Sequence, residues 1–248
     1  MLDIKVTENY GGIEVKGDYA DFEQLYDSIF EIIGDGEDYP TLEKLRIQIL
    51  AFCYDLRHAK QGSREIELVE NNMDDEIMKW HSIITPINNV YYKFKYILTQ
   101  AIFVVYALNI FIDNYKYKKY KSSYYTKVVY DEAVNIVQEF QSKVIKAIVQ
   151  ILSEKNRKIF LKLFYDREFG TNRLVHQYLE LIDCRYLAKN KEDRLNGLVN
   201  TTKRVIRYWE YQEYIDLEQE LIEYAEENQC DIDNIIIDGT EYPEEIDW

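Results

Sequence analysis

Ile97-Leu-Thr-Gln-Ala-Ile-Phe-Val-Val-Tyr-Ala-Leu-Asn-Ile-Phe-Ile112 is the most apolar stretch of the chain, and its reading decides the fold. It runs for 16 residues and carries Thr99, Gln100 and Asn109. A helix that crosses a bilayer needs about 20 apolar residues, so this one is too short and too interrupted. A helix that is apolar all round but cannot span a membrane belongs inside a protein core. The sequence therefore predicts a buried central helix and no membrane segment.

The rest of the chain supplies the material for such a core. Of 248 residues, 47% are hydrophobic and 15% aromatic, while only 9 Gly and 3 Pro interrupt them. That balance favours long helices over tight turns. From Asn88 onward the spacing predicts helices over 88–119, 127–152, 154–168, 172–189 and 192–228, with Ser153 and Thr171 as caps and Gly170 and Asn190 as breaks. Joined by short connections, they make an antiparallel helical bundle.

Upstream the period changes. Ile4 and Val6, then Ile13 and Val15, alternate at period two around Glu8–Gly12 and predict a β-hairpin. Asp18 followed by Asp21 opens a helix whose stripe is Phe22, Leu25, Ile29 and Ile32, ended by Gly34. A second helix carries Leu42, Leu45, Ile49, Phe52 and Leu56 and stops at Gly62. Glu65–Leu68 alternates like a third strand, and Ile77, Trp80 and Ile84 fit a short helix over 74–84. The fold class is α+β and mostly helical, a small N-terminal sheet with covering helices followed by the bundle. Three units result: an α+β unit over 1–85, the bundle over 86–228 and an acidic tail over 229–248. Within the tail, Ile235-Ile-Ile237 is a β-branched run that can return to the sheet as an added strand.

Charge is sorted along the same lines. Residues 1–85 hold 19 acidic and 8 basic side chains, residues 86–210 hold 12 and 22, and residues 211–248 hold 14 and none. The net charge is −15. A basic middle between acidic ends needs a compensating surface, in its own chain or in a partner. The overall acidity counts against non-specific binding to nucleic acid. Cys53, Cys184 and Cys230 are far apart, without metal-ligand spacing, and read as free thiols in a reducing compartment. The opening Met-Leu-Asp-Ile-Lys has no secretory pattern, so a cytoplasmic protein is expected. The 23 Tyr, with abundant Ile, Lys and Asn, fit an AT-rich bacterial genome.

Three clusters bear on chemistry. Tyr54, Asp55, Arg57, His58, Gln61 and Arg64 crowd the end of the second helix. Asp55 and His58 are three apart, a spacing at which a carboxylate can orient an imidazole for general-base work in a hydrolase. The same cations also suit a helix C-terminus, where they oppose the macrodipole. Lys116, Lys118, Lys119, Lys121 and Lys127 are interleaved with Tyr117 and Tyr120, the composition of a single-strand-binding surface. They can instead receive the chain's own acidic tail. Arg173, His176, Glu180 and Asp183 share one helical face, read as solvated and internally paired. No phosphate loop, dinucleotide fingerprint, HExxH or GxSxG pattern is present, and the Asp231–Ile235 stretch fails as a calcium loop. No metal or other cofactor is expected.

Cys53-Tyr-Asp-Leu-Arg-His-Ala-Lys-Gln-Gly-Ser-Arg-Glu-Ile-Glu-Leu-Val69, with Gly17-Asp-Tyr19 before it, resembles an uncharacterised protein family of low-GC Gram-positive bacteria (Bacillota). The likeness is best over the first 70 or so residues. The family has no known function, so the resemblance implies no activity, substrate or catalytic residue. The expectation is a non-enzymatic interaction protein that binds a protein partner, or a second copy of itself, through segregated charged surfaces. The alternatives are a nucleic-acid-binding module using residues 115–127, or a hydrolase centred on Asp55, Arg57 and His58.

Overall fold

The computed structural model describes residues 2–121, 130–165 and 174–248. Strands β1 (Asp3–Val6) and β2 (Gly12–Gly17) form the expected hairpin, with Ile4 opposite Val15. Helix α1 (Tyr19–Ile33) starts in a reciprocal capping box. The Asp18 carboxylate accepts from the Asp21 N–H at 2.8 Å, and Asp21 accepts from the Asp18 N–H at 3.1 Å. It ends at Gly34, whose φ of 61° suits glycine best. Helix α2 (Glu43–Lys60) follows, and then β3 (Glu65–Glu70) and the short α3 (Asp75–His81).

Residues 88–97, predicted as the start of a long helix, are instead strand β4 (Asn88–Ile97). It pairs with both β2 and β3, giving the antiparallel order β1-β2-β4-β3. The reason lies in its own alternation. Val90, Tyr92, Phe94 and Tyr96 fall on one face, and Tyr91, Lys93 and Lys95 on the other. The inner face carries Ile4, Ile13, Val15, Phe94 and Tyr96 into the core. On the outer face Glu67 bridges Lys16 at 2.9 Å and Lys93 at 3.2 Å.

Helix α4 (Leu98–Tyr120) leaves β4 without a loop. Residues Ala101 to Leu108 are buried without a break, so the apolar stretch over 97–112 is the central helix expected of it. Around it lie α5 (Glu132–Ile151), α6 (Glu154–Leu163), α7 (Val175–Leu187), α8 (Lys191–Ile206) and α9 (Gln212–Asn228). The predicted breaks and caps at Gly170 and Thr171 fall outside the described residues. Sheet and bundle share one core. The Phe52 ring lies 5.2 Å from Tyr96 and 5.0 Å from Phe140, measured between centroids. No helix among the described residues is long and apolar enough to cross a membrane.

The helix predicted over 192–228 is broken into α8 and α9 by a 3₁₀ turn at Tyr208–Glu210. No Gly or Pro marks it. The turn swings Tyr208 inward to pack on Tyr214 at 5.0 Å and Tyr178 at 6.5 Å, and burial of these rings overrides helix propensity.

The tail also departs from expectation, because Ile235–Ile237 is not a strand. It still returns to the hairpin at its end. The Asn9 N–H donates to the Trp248 carbonyl at 2.9 Å. The Trp248 ring lies over Gly12, where a Cβ would meet the ring at 2.6 Å. Buried Arg194 anchors this return, donating to the carbonyls of Asn9 (2.9 Å), Asp247 (2.5 Å) and Leu187 (2.6 Å).

Candidate functional site

The cluster at the end of α2 does come together, as a brace for the turn into β3. Arg64 donates to Asp55 at 2.6 Å, the His58 ring lies 4.2 Å from that of Tyr54, and the Arg57 guanidinium sits over Tyr54 at 5.6 Å. The Gln61 N–H donates to the Arg57 carbonyl at 3.1 Å, and the Ser63 N–H to the His58 carbonyl at 3.0 Å. For acid–base work Asp55 would have to hold the His58 ring. Its hydrogen bond goes to Arg64 instead. The six residues thus finish the helix and brace the turn after it, with Tyr54 about half exposed and Asp55 and His58 half-buried.

The Lys/Tyr segment is largely spoken for by the chain itself. Lys118 pairs with Asp38. Lys119 reaches Asp131 at 2.8 Å and Glu31 at 3.1 Å, and the Tyr120 hydroxyl donates to Asp131 at 2.8 Å. The acids that receive these lysines come from the first acidic block and from the N-cap of α5, not from the C-terminal tail. Tyr117 is exposed, Lys116 and Lys121 make no ion pair among the described residues, and Lys127 lies outside them.

Asp131 is the hinge of that arrangement. Burial opposes its ionisation, but the Lys119 ammonium, the Val134 N–H and the Tyr120 hydroxyl outweigh burial and hold the carboxyl down at about 2. A depressed carboxyl stabilises the fold above its ordinary range and loses that contribution as pH falls through the folded value. Asp131→Ala also leaves the first turn of α5 uncapped. It should lower the unfolding free energy at pH 7 by about 3 kcal/mol. Urea titrations of both proteins should converge as the pH is brought down towards 2.

The face over 173–183 needs correction. Arg173 lies outside the described residues, and His176 is exposed, with Gln48 at 3.0 Å and Glu180 at 3.5 Å. Asp183, read as solvated, is fully buried. Its carboxylate accepts from the hydroxyl of Thr99, from Gln100 Nε2 at 2.8 Å and from the Tyr242 hydroxyl at 3.1 Å. Burial pushes its carboxyl up to about 7 against those three donors. The signal in the sequence was its position in the apolar run Leu181-Ile-Asp-Cys184. Among the described residues no group of His, Cys, Asp and Glu side chains is arranged to hold a metal.

The feature that sequence reading missed lies at the far end of the sheet. Ile66 is paired with Tyr92 and Leu68 with Val90, so all four point to the core side. Along β4 that side passes from buried Phe94 through half-buried Tyr92 to exposed Val90. The helices cover the sheet only part of the way. Leu68 is 62% exposed, and the segment between β3 and β4 adds exposed Trp80, Ile83, Ile84 and Ile87. β3 is also the edge strand, with no described strand on its outer side. Glu65 and Glu67 are paired with lysines on the outer face, while Asp74, Asp75 and Glu76 line the exposed start of α3. This is an apolar sheet face with a free edge and an acidic rim, a combination that marks interaction sites.

A family model described as Domain of unknown function (DUF6904) matches residues 2–248. No curated protein and no solved structure matches the chain.

Proposed function

The chain belongs to the DUF6904 family, a domain of unknown function, and we propose that it acts as a non-enzymatic interaction protein that binds a basic protein segment on the uncovered end of its sheet. The observation that carries this reading is the exposed core-side row Ile66, Leu68 and Val90 beside the free edge of β3. A partner in extended conformation can add to that edge through backbone hydrogen bonds and place alternate apolar side chains on the row. The acidic rim fixes the sign of the partner's charge and steers its approach. A second copy suits the edge poorly. Antiparallel self-pairing of β3 about Glu67 sets that side chain opposite its own copy, and like charges opposed across strands are destabilising.

Trp80, 84% exposed in the helix that follows β3, serves as the optical readout. A synthetic peptide of alternating Lys and Val should blue-shift the tryptophan emission and bind less tightly as salt rises. A peptide of the same composition with its lysines and valines in separate blocks should bind far less. Leu68→Glu should abolish binding and leave the melting temperature unchanged, because Leu68 packs little in the free protein. Equal binding of the two peptides, or no binding of either, removes the proposal. Sedimentation that reveals a dimer abolished by Leu68→Glu would assign the surface to self-association instead.

A further inference from the structure

Helices α7 and α8 flank an open cavity of about 320 Å³ that no feature of the proposed interface uses. Arg185 and Lys189, one turn apart, reach it from one side, and Gly197, Asn200, Thr201 and Arg204 from the other. Three of these residues are cations and none is an acid. Ile182 and Tyr186 add an apolar wall. The Lys189 ammonium lies over Gly197, 3.6 Å from where a Cβ would sit, and makes no ion pair among the described residues.

One acid is already paired with two of these cations. Glu213, from the first turn of α9, takes Arg185 on one carboxylate oxygen and Arg204 on the other, the latter at 2.6 Å. The two guanidiniums thus form a preorganised fork for an oxyanion. Three cations against one carboxylate leave two positive charges unmatched, which is the charge of a phosphate monoester near neutral pH. We propose that this cavity binds a small molecule carrying a phosphate monoester. Its phosphate is held by Lys189 and the arginine fork, and its organic part lies along Ile182 and Tyr186. The cavity has the size of a small-ligand site, at the lower end of the usual range.

The test is calorimetric titration of the full chain with adenosine monophosphate, ribose 5-phosphate, inorganic phosphate and adenosine. The two esters should bind more tightly than inorganic phosphate, and adenosine should not bind. Lys189→Glu should weaken the esters at least about tenfold without changing the melting temperature of the free protein. Asn200→Asp puts a negative charge in the same cavity and serves as the second variant. Glu213→Gln removes the internal competitor and should tighten the esters several-fold. The absence of saturable binding by either ester, or ester binding that neither Lys189→Glu nor Asn200→Asp weakens, overturns the proposal. Equal affinity for inorganic phosphate overturns the assignment to an ester.

Discussion

Replacing Arg194 with methionine should lower the unfolding free energy by about 3–5 kcal/mol and free the last residues from the hairpin. The guanidinium is almost wholly buried and joins three backbone carbonyls from distant parts of the chain. Methionine fills similar space but donates nothing, so the carbonyls of Asn9, Asp247 and Leu187 lose their donor in a place water reaches poorly. The carboxylate of Asp247 contributes much less. It is mostly exposed and 3.7 Å from the guanidinium, so Asp247→Asn should cost under about 1 kcal/mol. Urea unfolding measures the first quantity, and hydrogen exchange at the Asn9 amide, which bonds Trp248, measures the second. Equal stability of the methionine variant and the wild type would show that the tail is held by the Trp248 ring and not by Arg194.

Asp183→Asn should stabilise the protein at pH 8 and do little at pH 4. The folded-state carboxyl, pushed up by burial to about 7, holds its proton more tightly than the unfolded chain does. Its contribution is therefore complete below the ordinary carboxylate range and is lost as pH rises through about 7. Between those limits stability should fall by about 1.4 kcal/mol per pH unit from this group alone. Asparagine can keep the geometry, with its oxygen facing Gln100 and Tyr242 and its amide facing the Thr99 hydroxyl. The variant should flatten the neutral limb of a plot of melting temperature against pH. A limb that stays as steep in the variant would assign the slope to other groups.

These two residues also mark how far the sequence could be read. The capping box at Asp18 and Asp21, the stop at Gly34 and the central helix over 97–112 are local matters, and each was legible. Strand β4 was missed because aromatic residues stand at both odd and even positions, Tyr91 beside Tyr92, and no turn residue separates the strand from α4. The break at Tyr208 depends on where Tyr178 and Tyr214 lie, which no local pattern reports. Asp183 satisfied a helical pairing rule while facing the wrong way, since its depth is set by α4 and the tail. The candidate interface was hidden for the same reason. Ile66 and Leu68 alternate as any strand does, and only the length of the covering helices leaves them bare.

The direct passage from β4 into α4 has a consequence for how the chain folds. Val15 of β2 finds its partner in Phe94, about 80 residues later, so the sheet closes through contacts of high sequence separation, and such contacts slow folding. A nascent chain that has been made only to residue 85 holds the hairpin, α1 and α2 but lacks the strand that joins β2 to β3. Until β4 arrives, the outer edge of β2 and the stripes of both helices stay open to wrong partners. When it does arrive, the same rod of backbone delivers the central helix. Sheet closure and bundle nucleation should therefore register as a single kinetic phase.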